Sequence, residues 1–570
     1  MKKLMKNFNR LLGNQGITKK GTLPVQNTII PEFSPKKPEA SVSKICFSGG
    51  KEYSFNPKEK VILVGPNNSG KSQTLREILD IASNGKKNRH VVVKKVDIRK
   101  EGSSEDLKKF LEENATFKSG NYFYKDWSIH DTHIHNWDEP LLRFELADGF
   151  IKKIGADERL QICDQQDSFE IGEQKTKPQH VLYDDSDLME RVSDFFRKAF
   201  GVGLMIDYRG AQKIPIHIGE KPDETVYGEN PISNEYANAV RVNPLLDKQG
   251  DGMRSYAGIL FETIISDLDI NLLDEPEAFL HPPQMRHIGQ TLASEVNGQL
   301  FVATHSSDIM RGFLEGSEGN VRLLRINRVG DQNFVKEAKP KVVQKLWNNP
   351  ILRYSKALEG IFHEETIVCE DESDCRLLNA VADHLVENDI HSWKDTAYVP
   401  AGGKHTIKNV VDVLRQVGVP VKAVFDIDFL SEETLVKETV EVFGGKWSNI
   451  KSLWKRVDAA VRNGIKPRKP GDIKDELITE INKCAPYDIP SKSKLNEILK
   501  QDSSWNMVKK FGKTVIPHGD AQANFKKLNE ELEKIGIYLI DKGEIENFYM
   551  EVGSHGSKFV TKLLANVPLD

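Results

Sequence analysis

Nowhere do the 570 residues approach the roughly 18 consecutive apolar positions that a membrane-spanning helix needs, so no membrane association is expected. The basic start, Met1 to Phe8, leads into no apolar segment of the kind an export signal carries, and a cytoplasmic location is the expectation. Cysteine is scarce. The five present (Cys46, Cys163, Cys369, Cys375, Cys484) are odd in number and show no zinc-like CxxC spacing, which argues against a disulfide framework and implies reduced thiols. Charge of one sign is also lacking: a net charge of −4 gives no chain-wide attraction for nucleic acid, so any such contact needs a local patch. There is no long heptad array and no repeat of 20 to 50 residues, which argues against a coiled-coil arm or a solenoid. What is there, 38% hydrophobic and 29% charged residues, suits a globular protein too long for a single core, and two or three domains follow.

Hydrophobic patterning divides the chain. Residues 1–40, with the Pro-, Lys- and Ser-rich stretch Pro31 to Pro38, are expected to form a flexible arm. In 41–340 the pattern predicts strand Lys60 to Val64, helix Ser72 to Ala82, helix Arg254 to Ser266, strand Ile270 to Leu273, helix Pro283 to Val296 and strand Gln299 to Ala303. Residues from about Arg99 to Asn243 cannot be ordered. Val335 to Trp347 reads as a weakly structured, Lys-rich stretch leading through a connector at 341–365. From 366 to 570 a second alternation begins, with strands at Thr366 to Cys369, Thr396 to Pro400 and Val421 to Phe425 and helices Asp374 to Glu387 and Thr406 to Gln416. Both halves are α/β, with ligands expected at strand carboxyl ends.

Gly65-Pro66-Asn67-Asn68-Ser69-Gly70-Lys71-Ser72 fits G-x-x-x-x-G-K-[ST] between a strand and a helix. Backbone N–H groups of such a loop close on phosphates, Lys71 reaches the β and γ phosphates, and the Ser72 hydroxyl ligates Mg²⁺. About 200 residues on, Leu272-Leu273-Asp274-Glu275 offers Asp274 to the metal and Glu275 to orient and deprotonate the attacking water. After the next strand, His305 in Thr304-His305-Ser306 is placed to sense the γ-phosphate.

This arrangement resembles the ABC-type ATPase heads of the SMC and OLD-like group, most strongly in LLDEPEAFLHP and THSSDI. The resemblance implies two heads sandwiching ATP, with a signature segment of one completing the site of the other. LSGGQ is absent. Gln249-Gly250-Asp251-Gly252-Met253-Arg254 stands in its place and is similar to the shortened DG-type signature of OLD-like ATPases, which implies trans contacts through Asp251, Gly252 and Arg254. The missing coiled coil argues against a chromosome-structuring ATPase.

In the second half, Asp426-Ile427-Asp428 closes a Val-rich strand, and its two carboxylates at i, i+2 would repel unless a hard cation sat between them. Glu370 closes an earlier strand with Asp374 four residues on. Phosphodiester chemistry with two metals needs several acids converging on cations about 4 Å apart, and Glu370, Asp374, Asp426 and Asp428 would supply them. CEDESD (369–374), AGGK (401–404) and DID (426–428) in this order resemble the Toprim fold of topoisomerases, primases and OLD nucleases, with Asp371 where the family often has Gly. Asp541-Lys542-Gly543-Glu544-Ile545-Glu546-Asn547-Phe548 looks like the K-G-x-x-E-x-[FY] segment of the OLD-type site, which implies Glu546 as a metal ligand and Lys542 as a charge-neutralising group; a surface turn is the other reading.

A basic segment between Lys446 and Lys469, with Trp447 and Trp454 interleaved, reads either as a DNA-backbone contact in a helical insertion at about 440 to 510 or as a solvated helical face. His130, His133 and His135 lie close enough in sequence to suggest zinc, but no further ligands accompany them.

Together these motifs are similar to the OLD family of ATP-dependent endonucleases, an ABC-type P-loop ATPase head followed by a Rossmann-like Toprim domain. The resemblance spans Lys60 to Ala82, Gly250 to Phe313 and Thr366 to Phe548. It implies ATP and Mg²⁺ as cofactors, with Mn²⁺ or Ca²⁺ as alternatives at the Toprim acids, DNA as substrate, and dimers or higher oligomers through the heads. It further implies a role in antiviral defence with a partner such as a helicase or retron reverse transcriptase. The alternative is an ATPase sensor or scaffold whose Toprim half binds a partner or nucleic acid without cutting.

Overall fold

The computed structural model describes residues 36–566 apart from 86–88, 170–174, 176, 267, 349–355, 465–468, 486–487 and 500–502. The expected arm at residues 1–40 lies almost wholly outside them, as do Lys466 and Arg468 of the basic segment.

The first half opens with β1 (Glu39–Phe47), β2 (Glu52–Ser54), β3 (Lys60–Val64), α1 (Lys71–Asn84) and β4 (Val93–Glu101). The stretch left unordered by patterning supplies β5 (Ile151–Ile154) and the short helix α2 (Ala156–Gln161). There follow α3 (Asp251–Leu260), β6 (Ile270–Asp274), α4 (Pro282–Glu295), β7 (Gln299–Ala303), α5 (Ser307–Gly316), β8 (Arg322–Val329) and β9 (Gln332–Glu337). Six strands form one sheet in the order β9-β8-β3-β7-β6-β5, parallel throughout except for the β8–β9 hairpin. Both faces are covered, and side-chain alternation shows it. Val61 and Leu63 of β3 point into one core with Leu75 and Ile78 of α1, while Ile62 and Val64 point into the other with Tyr256 and Leu260 of α3. A separate antiparallel sheet, β2-β1-β4, packs on the α1 side.

The segment expected to be weakly structured is ordered. It takes in the end of β9 and α6 (Pro340–Asn348), whose Val342, Val343 and Leu346 form a buried stripe that the surrounding lysines disguise in the sequence. Lys345 of α6 pairs with Asp412 in the second half at 2.7 Å.

The second half carries β10 (Glu365–Cys369), α7 (Glu372–Glu387), β11 (Thr396–Pro400), α8 (Lys404–Val417), β12 (Val421–Asp426), α9 (Trp447–Gly464), α10 (Ser504–Phe511), α11 (Asp520–Lys534), β13 (Ile537–Ile540) and α12 (Ser557–Asn566). Its four strands are parallel in the order β11-β10-β12-β13. From β10 the chain steps to β11 on one side and then returns to β12 on the other. The crevice between the carboxyl ends of β10 and β12 is therefore the switch point at which such sheets bind ligands. The helices between β12 and β13 form the insertion, anchored by Trp447, Ile450, Trp454, Val457 and Val461 of α9, which bury one face at helical spacing.

Candidate functional site

The nucleotide loop leaves β3 at Val64. Gly65 has φ +140°, and a Cβ there would lie 2.1 Å from the Ile326 carbonyl oxygen, so the loop passes β8 only because the residue is glycine. Gly70, at φ +96°, starts α1, whose N-terminus carries Lys71 and Ser72. Ser69 is buried, whereas Asn67 and Asn68 form the exposed rim. Lys71 Nζ donates to the Gly65 and Pro66 carbonyls, both at 2.8 Å. Burial pulls its pKa down to about 8, against the opposing charges of Glu275, Glu277 and Asp274. Those three acids and Lys71 thus converge from two sequence-distant segments.

Asp274 ends β6, with Oδ2 3.2 Å from Lys153 and Oδ1 buried without a hydrogen-bond partner. Glu275 adopts φ +46°, unusual for a side chain with a Cβ, and its amide donates to Ala303 at 2.9 Å. Its carboxylate faces His305, with Oε1 3.7 Å from Nε2. Glu277 accepts from Thr304 Oγ1 at 2.8 Å and from the His305 amide at 2.5 Å, fixing the histidine turn. Burial, then Lys71, push His305 down to about 4, so the ring is neutral at pH 7.

Sequence reasoning missed Arg159 of α2. It is fully buried and donates to the carbonyls of Asp274 at 3.2 Å and Glu275 at 2.7 Å, bracing the unusual turn. No motif announces it. Asp251 is the exposed first residue of α3, and a Cβ on Gly252 would come within 2.9 Å of the Phe279 carbonyl oxygen. Arg254 is engaged within its own chain, with Leu160 O at 2.9 Å and Asp164 at 3.0 Å.

At the second switch point Glu370, Asp426 and Asp428 present carboxylate oxygens within 4.8 Å of one another. The loop at 401–404 positions the first of them: the amides of Gly402 and Gly403 donate to the Glu370 carbonyl at 3.0 and 2.8 Å. Glu370 Oε1 in turn accepts from the Asp426 amide at 3.2 Å. Burial, then Asp426, raise Glu370 to about 7, and burial also raises Asp426. Asp374 lies at the edge of this group. Its carboxylate accepts from the Asp371 amide at 3.0 Å, closing a capping box at the start of α7, and burial raises it to about 7. Asp371 is thus the helix cap, which explains an Asp where the Toprim pattern often has Gly.

Two lysines enter the acids. Lys404 is 2.8 Å from Asp428 Oδ2, and Lys509, from the insertion, is 2.6 Å from Asp426 Oδ2. Burial opposes it, but Asp426, Asp428 and Glu370 hold the Lys509 amine above its usual pKa. Lys542 is exposed and, among the described residues, pairs with none of these acids. Glu546 accepts from the Gly556 amide at 2.7 Å and groups with Glu544 and His555 rather than with Asp426.

The donors suit divalent cations. Asp428 Oδ1 and Asp274 Oδ1 are both buried without hydrogen-bond partners, and each belongs to a set of hard oxygen ligands. The histidines at 130–135 do not assemble a site: His133 pairs with Glu145 at 2.7 Å, His130 bonds Thr132 at 2.7 Å and His135 is exposed. On α9 the tryptophans face the core, with Trp454 Nε1 bonding the Leu430 carbonyl at 2.9 Å, while Lys446, Lys451, Lys455 and Arg456 are exposed. The basic face is therefore present without the aromatics.

Residues 60–311 match the family described as "AAA domain, putative AbiEii toxin, Type IV TA system", and residues 361–428 match "Overcoming lysogenization defect protein-like, TOPRIM domain". Similar solved structures include an Smc head bound to the C-winged helix domain of ScpA (12% identity, 52% of this chain and 97% of that one, TM-score 0.33). They also include an Smc head from Pyrococcus furiosus bound to the C-terminal domain of ScpA (13%, 54% and 98%, 0.32) and an SMC head from Thermotoga maritima (12%, 52% and 99%, 0.28). None of the curated proteins matches the chain. No helix among the described residues is long and apolar enough to cross a membrane.

Proposed function

We propose, for a chain that belongs to the OLD family of ATPase–Toprim fusions, an ATP-controlled, metal-dependent DNA endonuclease serving antiviral defence. The observation that supports this most is the convergence of Glu370, Asp426 and Asp428 within 4.8 Å at the switch point of a parallel sheet, with a buried Asp428 oxygen that accepts no hydrogen bond among them. Divalent cations there would activate water and stabilise the leaving oxygen of a phosphodiester. Glu370, Asp426 and Asp428 would hold them, with Asp374 and Glu546 at the margin, and the exposed basic face of α9 would track the DNA backbone without reading sequence.

In the ATPase, Lys71 would bind phosphate, Ser72 and Asp274 would hold Mg²⁺, and Glu275 would take the proton of the attacking water, with His305 beside it at 3.7 Å. Two heads would sandwich the nucleotide, Asp251 and Gly252 of one facing the phosphates of the other. Association on gel filtration that depends on ATP and is lost in Lys71→Ala supports this; identical behaviour of both proteins without association refutes it.

Supercoiled plasmid incubated with the full chain and Mg²⁺ or Mn²⁺, beside Asp426→Ala, tests the nuclease. Cleavage by the wild type alone is the expected result. An intact plasmid under every nucleotide condition would instead identify a sensor or scaffold that recruits a partner such as a helicase or reverse transcriptase.

A further inference from the structure

Lys509 belongs to no motif, yet it approaches three carboxylates of the acid cluster, Asp426, Asp428 and Glu544. Its Nζ stands 2.6 Å from Asp426 Oδ2, 3.9 Å from Asp428 Oδ1 and 3.9 Å from Glu544 Oε2, so carboxylates from two separate segments surround one ammonium. Its backbone is locked in place. The Lys509 carbonyl accepts from Asn547 Nδ2 at 3.0 Å, and Gly543, at φ +112°, lies so close that a Cβ would fall 1.9 Å from that carbonyl oxygen. The Gly543 carbonyl in turn accepts from the Ile427 amide at 3.0 Å. The end of α10, the turn at 541–547 and the acidic turn at 426–428 therefore interlock. The side chain of Lys509, 32% exposed, reaches the acids from this fixed backbone along a stem of rotatable bonds.

We propose that Lys509 and a divalent cation compete for Asp426, and that the displaced ammonium contacts the phosphodiester at this site. A cation on Asp426 would stand within a few ångströms of the ammonium, and like charges at that range repel strongly in a half-buried setting. Lysine carries a point charge on a flexible stem, so it yields by rotating rather than by unfolding its helix. Its side chain is one-third exposed, and an ammonium beside a phosphodiester held at these acids would stabilise the developing oxyanion. The second half of this proposal rests on the nuclease reading; the first does not.

The test uses the full chain with Lys509→Met and Lys509→Gln read in parallel, so that a folding defect of one variant does not decide the outcome, and Lys510→Met, an exposed neighbour, as control. Mn²⁺ titrated calorimetrically without DNA should bind both Lys509 variants about tenfold more tightly than wild type or control. Equal or weaker binding overturns the competition. At saturating Mn²⁺ the variants should cut plasmid about 100-fold more slowly than wild type, the loss typical of one removed charge-stabilising group. Undiminished cleavage overturns the phosphate contact. A wild type that cuts nothing refutes the nuclease reading, and the isotherms still decide whether Lys509 competes for Asp426.

Discussion

Arg325 Nη1, on the strand beside the nucleotide-loop strand, donates to the carbonyl of Gly418 at 2.9 Å, the residue that ends the helix begun by Lys404. The same guanidinium reaches Ile361 O at 3.2 Å and His363 O at 2.6 Å. Next to it in sequence, the Ile326 carbonyl is the surface against which Gly65 must fit, and Asn333 of the same hairpin holds the Ser69 carbonyl at 2.5 Å. At the far end of α8, Lys404 pairs with Asp428. One hairpin and one helix thus separate the glycine-rich loop at 65–72 from the acids at 426–428.

Arg325 is 2% exposed and is held by carbonyls of the second half, so its removal leaves buried acceptors unpaired. Arg325→Met should cost about 3 kcal/mol in chemical denaturation and should uncouple plasmid cleavage from added nucleotide. Stability within about 1 kcal/mol of wild type would show that the junction is held elsewhere.

Glu275→Gln keeps the shape of the turn and removes the carboxylate proposed as the base. ATP binding should survive while steady-state phosphate release falls about 100-fold or more. Release at the wild-type rate would assign the base to another residue.

The motifs were legible because each sits at the end of a short apolar run, where a strand must finish: Val64 before the nucleotide loop, Leu273 before Asp274, Phe425 before Asp426. What patterning could not supply was contact across long sequence distances. Lys509 meets Asp426 over 83 residues and Arg159 meets Asp274 over 115, and neither pair leaves a periodic trace. A tryptophan within a basic run looks alike whether it faces the core or solvent, and burial of Trp447 and Trp454 was decided by their shared helical face. The lysines of α6 similarly masked a three-residue apolar stripe.

His305 gives a pH signature. Its folded pKa of about 4 lies below the unfolded value of about 6.5, so between these values the unfolded chain binds more protons and stability falls as pH falls. The groups facing the ring are Lys71, Asp274 and Glu275 of the ATP site and Asp395 of the second half. With the side chain 32% exposed, screening reduces the effect to about 1 kcal/mol. His305→Gln should therefore lose less thermal stability than wild type between pH 6.5 and 4.5; parallel melting curves would remove His305 from the account.

Gly543→Ala tests the interlock beneath the acids. The residue combines φ +112° with a 1.9 Å approach to Lys509 O, and neither tolerates a methyl group. A destabilisation of about 2 kcal/mol or more is expected, with weakened Mn²⁺ binding because the acidic turn loses its support. Unchanged metal affinity would show that the 426–428 turn holds its own geometry.

Arg159 concerns the other centre. The positive-φ backbone of Glu275 costs of order 1–3 kcal/mol, and Arg159 stabilises it by donating to both carbonyls of the turn, at 3.2 and 2.7 Å. The guanidinium stays charged despite burial, which pulls its pKa to about 10, because Glu277, Asp274 and Glu275 oppose the shift. Arg159→Lys keeps the charge but is shorter and lacks the planar fork that places one nitrogen on each of the two carbonyls. ATP affinity, set by the loop at 65–72, should stay within a few-fold of wild type, while hydrolysis falls about 100-fold as the Glu275 carboxylate loses its aim. A purely structural arginine would lower both together with the melting temperature, so a split between binding and turnover in Arg159→Lys is the decisive reading.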